Sequence, residues 1–231
     1  MKKPLLLIFL ILLLDQASKF WVKTHMTIGQ EIRVIGNWFR IHFTENPGMA
    51  FGMELSGENG KLILTLFRII AAILIFIYLY RLTKKDSHPL LLISISMILA
   101  GAIGNIIDSV FYGVLFNEST FYEPAKFLSA EKGYAPLFYG HVVDMFYFPI
   151  LKGQYPSWVP MLGSKEFIFF RPVFNLADSS ITIGVFILIL CQSKCYKSKD
   201  KESIPEQSDI PEETDNPETV ETPLLSDDEQ V

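Results

Sequence analysis

The sequence predicts an α-helical integral membrane protein: four transmembrane helices, a small extracytoplasmic β-ribbon, and an outer lobe between helices 3 and 4. Three observations carry that prediction. Half of the 231 residues are hydrophobic, mean hydropathy is +0.31, and the apolar residues gather in runs long enough to cross a bilayer. Lys and Arg cluster in short segments flanking those runs. Asp15, Asp108 and Asp178 lie inside or at the ends of the runs, where a charge costs about 3 kcal/mol or more and marks a protein-facing site. The net charge of −5 arises mostly in the C-terminal tail. No basic cluster interleaved with aromatics is present to suit a nucleic acid, and no such partner is expected.

Lys2-Lys3 followed by Leu5 to Leu14 has the form of a secretory signal. No small-x-small cleavage site follows, and the run continues through Asp15-Gln16-Ala17-Ser18-Lys19 to Val22. It reads as an uncleaved first helix over about 4–23. Asp15 and Lys19, four residues apart, share a face. Either they neutralise each other while snorkelling to an interface, or they belong to a functional interior. Phe39, Ile41 and Phe43 then alternate with Arg40 and His42, after a Gly36-Asn37 turn signal. This period of two predicts a ribbon over about 32–43, within an extracytoplasmic segment of about 32–55. Its last part, Thr44-Glu45-Asn46-Pro47-Gly48-Met49-Ala50-Phe51-Gly52, is dense in residues that permit tight or close-approach backbone.

The second helix is expected over about 62–80, with Arg68 in its first third, either snorkelling or facing an acidic interior. A short basic loop, Arg81 to Lys85, leads to the third helix, about 89–110. Its end carries Gly101-Ala102-Ile103-Gly104-Asn105-Ile106-Ile107-Asp108; the glycines suit close helix packing, which does not explain Asn105 and Asp108. Residues 112–171 are too mixed to span and form the expected outer lobe. The fourth helix, about 172–191, opens with Phe174-Asn175-Leu176-Ala177-Asp178. Cys191 and Cys195 share one helix face without a second ligand pair, so neither a metal site nor a disulfide framework is expected. They read as inert thiols or as an acylated Cys beside the membrane. Residues 196–231 are rich in Glu, Asp, Pro, Ser and Thr and read as a disordered acidic cytoplasmic tail, leaving 1–195 as the membrane domain.

Four helices put both termini on one side, with Lys2, Lys3, the Arg81–Lys85 loop, Lys194 and Lys197, which makes that side cytoplasmic. At about 1.5 Å per residue, Asp15 stands roughly 18 Å above Lys3, Asp178 roughly 20 Å above Cys191, and Asn105 roughly 24 Å above Pro89. Polar residues of three helices therefore converge in the outer half of the bilayer. Asp144, in Val142-Val143-Asp144-Met145-Phe146, joins them if its segment returns to the helix mouth. Two carboxylates brought together share a proton and activate a water, as in an aspartic protease.

The blocks Asp15-Gln16-Ala17-Ser18-Lys19, Asn46-Pro47-Gly48-Met49-Ala50-Phe51, Gly101 to Asp108, Val142 to Phe146 and Phe174 to Asp178 stand in the order found in bacterial lipoprotein signal peptidases (signal peptidase II), and the chain resembles that family over about 1–195. The resemblance implies that Asp144 and Asp178 are a catalytic dyad cutting just before the lipidated Cys of diacylglyceryl-modified prolipoproteins. It implies that Asp15, Asn46, Gly104, Asn105, Asp108, Asn175 and Ala177 line or brace the site, with Gly48, Ala50 and Phe51 in the same Asn46 block. The ribbon becomes a β-cradle on the outer leaflet. The enzyme it implies is a monomer of the bacterial inner membrane with its active site near the extracytoplasmic face, working without cofactor or metal, its partners being substrate and lipid. Ser109 stands where many members carry Arg, so the charge balancing Asp108 must come from elsewhere, with Lys19 and Arg68 as candidates. Two rival classes remain: an ion-coupled transporter, disfavoured by the lack of an inverted repeat, and a structural subunit, which leaves the converging acids unexplained.

A reporter fused after Lys201 should report the cytoplasm and one inserted near Lys132 the outside; reversed labelling would remove the extracytoplasmic site.

Overall fold

The computed structural model describes residues 1–47, 58–85, 87–128, 132–149, 151–154, 158, 166–169 and 172–197. The expected tail therefore lies outside the described residues from 198 onward, as do residues 48–57 of the cradle segment and a minor part of the outer lobe. Four long helices are present: α1 (Lys2–His25), α2 (Glu58–Lys84), α3 (Pro89–Ile107) and α4 (Leu176–Lys197). A π-helical turn, Asp108–Tyr112, and a last turn, Gly113–Leu115, prolong α3. Among the described residues three helices, Lys2–His25, Gly60–Lys84 and Pro89–Leu115, are long and apolar enough to cross a membrane, while the described apolar part of α4 runs from Leu176 to Leu190.

The helices overrun the expected bounds at most ends because hydropathy marks only the hydrocarbon slab. Lys2, Lys23, His25 and Lys84 continue the backbone hydrogen bonding beyond it. The fourth helix is the reverse case: it begins at Leu176 instead of about 172, because Val173–Phe174 pairs as a strand and Asn175 caps the helix. Helix 3 runs past 110 to Leu115, so the lobe starts later than expected.

Large apolar side chains such as Leu13, Phe67, Leu74 and Phe186 point outward, as lipid-facing residues must. Inside, Ile8, Leu79, Leu91, Ile95 and Leu99 pack α1, α2 and α3 together. The α3–α4 seam is made by small residues. A Cβ on Gly101 would lie 2.2 Å from the carbonyl oxygen of Ala177, and one on Gly184 2.8 Å from that of Ser94. Lipid supplies no hydrophobic drive between helices, so backbone approach of this kind, with Ser180 Oγ donating to the Met97 carbonyl at 2.8 Å, is what holds the pair.

At one end of the bundle sits a four-stranded antiparallel sheet in the order β1 (Glu31–Ile35), β2 (Phe39–Asn46), β3 (Val142–Tyr147), β6 (Val173–Phe174). A separate hairpin joins β4 (Leu151–Gln154) to β5 (Glu166–Phe169). The expected ribbon is thus half of a sheet; β3 comes from the segment expected to form the lobe, and β6 from the expected start of the fourth helix. The turn falls at Gly36, whose φ of +50° suits glycine.

One irregularity in β2 matters for the site. Ile41 pairs with Phe146 and Thr44 with Asp144, so His42 and Phe43 together face Met145. This bulge changes the parity of the strand. Phe43 is buried against the helix ends with Val143 and Met145, whereas Thr44 and Asn46 turn to the face that carries Asp144.

Gly101→Val should strike backbone rather than a flexible side chain. It is expected to cost about 1–3 kcal/mol or more, read as a lower melting temperature and lower yield of membrane-inserted protein; a wild-type melting curve would contradict the seam.

Candidate functional site

Asp15, Lys19 and Lys23 follow at intervals of four and form one stripe on α1. All three are fully buried. The Lys19 ammonium lies 2.9 Å from Asp15 Oδ2 and 2.9 Å from Asp108 Oδ2, and donates to Asn105 Oδ1 at 3.0 Å. The pair does not snorkel. Lys19, and not Arg68, balances Asp108; Gln16 adds bonds to Asp108 Oδ1 at 2.9 Å and Asp15 Oδ2 at 3.1 Å. Asp15 Oδ1 in turn accepts the Ala177 amide at 2.9 Å. A carboxylate from α1 thus satisfies one of the orphan amides of the first turn of α4, where the helix dipole favours negative charge. Gly104 makes room for it, since a Cβ there would stand 2.6 Å from Asp15 Oδ2. Asp108 Oδ2 also accepts the Val143 amide at 3.2 Å and so fixes β3.

Asn175 is the N-cap of α4. Its Oδ1 accepts the Asp178 amide at 2.9 Å, and its own amide points to Asp178 Oδ2 at 3.4 Å, a reciprocal capping box with Asp in the third position. The side-chain amide of Asn175 donates to Asp144 Oδ1 at 2.7 Å. Asn105 Nδ2 donates to Asp178 Oδ1 at 2.7 Å, and Asn105 Oδ1 accepts from Asn175 at 3.2 Å. The two carboxylates are therefore linked through two asparagines, with Lys19 behind them. Asn46 adds a side-chain hydrogen bond to Asp144. Asp144 is buried and Asp178 half-buried. Burial first, then the charge of Asp178, pushes the Asp144 carboxyl up to about 7, against smaller opposing effects from Asn175, Lys19 and Asn46. Arg68 faces this pair: its charge acts on Asp178 and Asp144, and its Nη1 is 3.5 Å from Ser109 Oγ.

A second polar cluster was not foreseen. Lys23 pairs with Glu45 and donates to Ser119 Oγ at 3.0 Å. Ser119 Oγ also meets Glu45 Oε1 at 2.6 Å, and His141 Nδ1 lies 3.2 Å from Glu45 Oε2. Lys23 further lies over the rings of Phe116 and Tyr134, 5.3 and 4.8 Å from their centroids. Against the cost of burial, hydrogen bonding from His141 and the charge of Lys23 hold the Glu45 carboxyl down at about 2. The available signal was Lys23 itself, in register with Asp15 and Lys19, and Glu45 beside Asn46.

Of the expected residues, Asp15, Lys19, Asn46, Arg68, Gly104, Asn105, Asp108, Asp144, Asn175, Ala177 and Asp178 converge on this end of the bundle. Gly48, Ala50 and Phe51 lie outside the described residues. Among the described residues no group of three or more His, Cys, Asp and Glu has metal-holding geometry.

Paired carboxylates, joined by shared amides, meet where a small sheet adjoins the ends of the apolar helices. Comparisons narrow the class. Residues 7–194 match the family described as signal peptidase (SPase) II. A lipoprotein signal peptidase of Porphyromonas gingivalis is 49% identical over 203 residues, 87% of this chain and 88% of that protein. One from Amoebophilus asiaticus is 40% identical, covering 78% and 73%. A bacterial membrane enzyme solved in meso at 2.3 Å resolution superposes with a TM-score of 0.55 at 26% identity, covering 89% of this chain and 94% of that one. The chain belongs to the bacterial lipoprotein signal peptidase (signal peptidase II) family, and is thus a peptide hydrolase and a multi-pass protein of the bacterial inner membrane.

Lys19→Met should leave Asp15 and Asp108 without their shared cation. Breaking a buried pair in this way costs about 3–5 kcal/mol, expected as a large fall in melting temperature in detergent; an unchanged value would show that the acids are neutral without Lys19.

Proposed function

We propose that the protein is an intramembrane aspartic endopeptidase that removes the signal peptide from diacylglyceryl-modified prolipoproteins, cutting just before the lipidated Cys, with Asp144 and Asp178 as the dyad. The observation that carries this reading is the Asp144–Asn175–Asp178 linkage. It gives two acids of different burial in one hydrogen-bonded unit, the arrangement that lets a pair keep one proton near neutrality.

Asp144, the more deeply buried, holds that proton, and Asp178 takes one from the attacking water. The water oxygen bonds to the scissile carbonyl carbon while the Asp144 proton passes to the carbonyl oxygen. Collapse of the tetrahedral diol breaks the C–N bond: the amine leaves with the proton from Asp178, one diol hydroxyl returns its proton to Asp144, and the new carboxylic acid is released with both acids in their starting states. General acid–base help of this kind is worth about 10²–10⁴-fold; positioning by Asn46, Asn105 and Asn175 and the positive charge of Arg68 supply more. No step calls on a metal, so activity should survive EDTA.

In this reading α4 is the fourth span, both termini are cytoplasmic, and the site opens near the extracytoplasmic face, remote from Lys3 and the Arg81–Lys85 loop. The substrate's acyl chains lie in lipid beside the bundle, and the sheet holds the extended peptide. The enzyme acts as a monomer, and residues 196–231 are a dispensable cytoplasmic tail. Relatives named lipoprotein signal peptidase support the substrate class.

Asp144→Asn and Asp178→Asn should each give folded, membrane-inserted protein that binds lipidated precursor and turns it over at least ~10²-fold more slowly. Substantial turnover by Asp144→Asn would send the search for the second acid to Asp108. The wild-type rate should fall as pH rises through about 7, because the raised Asp144 carboxyl then loses the proton it must donate. A rate flat to pH 9 would contradict that role.

A further inference from the structure

The buried Lys23–Glu45 pair lies outside the proposed chemistry, yet it sits one residue from it. Glu45 and Asn46 are consecutive in β2 and so point to opposite faces. On one face Asn46 reaches Asp144. On the other, the Glu45 carboxylate gathers four segments: Lys23 at the end of α1, Ser119 from the lobe, His141 at the entrance to β3, and its own strand. Tyr134 completes the enclosure, its phenol oxygen accepting the His141 amide at 2.7 Å and its ring lying beside Lys23.

The same device occurs on β3. The Val143 amide is held by Asp108, and the next residue, Asp144, turns to the site. Each strand that serves the dyad is thus pinned from behind by a charge cluster tied to α1, through Lys19 for β3 and through Lys23 for β2. The two lysines are one helical turn apart on one face. β2 needs such a pin because its bulge at His42–Phe43 re-aims everything beyond it.

We propose that Glu45, clamped by Lys23, Ser119 and His141, is a positioning residue for peptide cleavage, fixing the end of β2 so that Asn46 keeps its hydrogen bond to Asp144. The proposal rests on the reading of Asp144 as one of the two catalytic acids. Its action is on turnover: the clamp touches neither Asp178 nor the helix faces beside which the acyl chains lie.

The test uses the full chain in lipid vesicles with a diacylglyceryl-modified precursor peptide, following kcat, KM, the pH profile and melting temperature. Glu45→Gln, Asn46→Ala and the double variant form a cycle. Each single change should lower kcat by roughly 10- to 100-fold, the scale of a misplacement of about 1 Å, with KM nearly unchanged. Each should also move the alkaline limb upward, since the bond from Asn46 favours ionised Asp144. The other groups acting on Asp144, namely Asp178, Asn175, Lys19 and Arg68, are left in place.

In the double variant the two losses should not multiply, because Glu45 acts through Asn46. Multiplicative losses, or a fall in melting temperature with an unmoved pH limb, would overturn the proposal and leave Glu45 a purely structural residue. Should Glu45→Gln fail to fold with Lys23 unpaired, Glu45→Asp keeps the charge and shortens the reach; it should show the same kcat loss and limb shift, and wild-type kinetics would overturn the proposal. Failure of the catalytic reading itself looks different: Asp144→Asn would then turn over normally whatever Glu45 does.

Discussion

A single ammonium group organises this molecule. Lys19 is fully buried and holds Asp15, Asp108 and Asn105 within 3.0 Å, and through them it fixes α4 at two points and β3 at one. Asp15 caps α4, Asp108 holds β3, and Asn105 reaches Asp178. Burying one cation with two acids is expensive, and such a cluster stabilises only when every donor and acceptor finds a partner. Gln16, Tyr112 and the Val143 and Ala177 amides complete that satisfaction. The cluster's value therefore lies in registry: it admits one arrangement of α1, α3, α4 and the sheet.

The site gains from this rigidity. Asn175 is at once the helix cap and the link between the two acids, so the geometry of a helix terminus sets the spacing of Asp144 and Asp178. Strand β3 brings Asp144 from the sheet, and α4 brings Asp178 from the helix bundle. The small residues Gly101, Gly104 and Ala177 allow α3 and α4 to come close enough for Asn105 to span the gap. A cluster of apolar side chains in the other half of the bundle keeps α1, α2 and α3 together without taking part.

Ser109 also finds a physical account. Where a cation is expected after Asp108, a hydroxyl stands instead, and Arg68 from α2 reaches over it towards the acids. Charge on the π-turn is thus replaced by charge from a neighbouring helix, while Asp108 itself depends on Lys19. The π-turn widens α3 where Asp108, Ser109 and Tyr112 all turn inward, a common use of such turns at sites.

By itself the sequence determined the helices, their polar ends and the residues that would meet, because apolar run length and charge at fixed helical spacing are local properties. Helical rise alone put Asp15, Asn105, Asp108 and Asp178 towards the same end of their helices, and the sequence named Asp144 without a route to the others. Only the tertiary structure decided that route. The pairing of β3 with β2 depends on contacts such as Thr44 with Asp144, far apart in the chain, which no local window contains. The bulge that turns Asn46 towards Asp144 breaks the alternation that made the ribbon legible at all. The Lys23–Glu45 clamp stayed hidden because a lysine near a helix end usually meets water. Here a lobe from the far side of α3 closes over it, and burial is a property of what arrives from elsewhere in the chain.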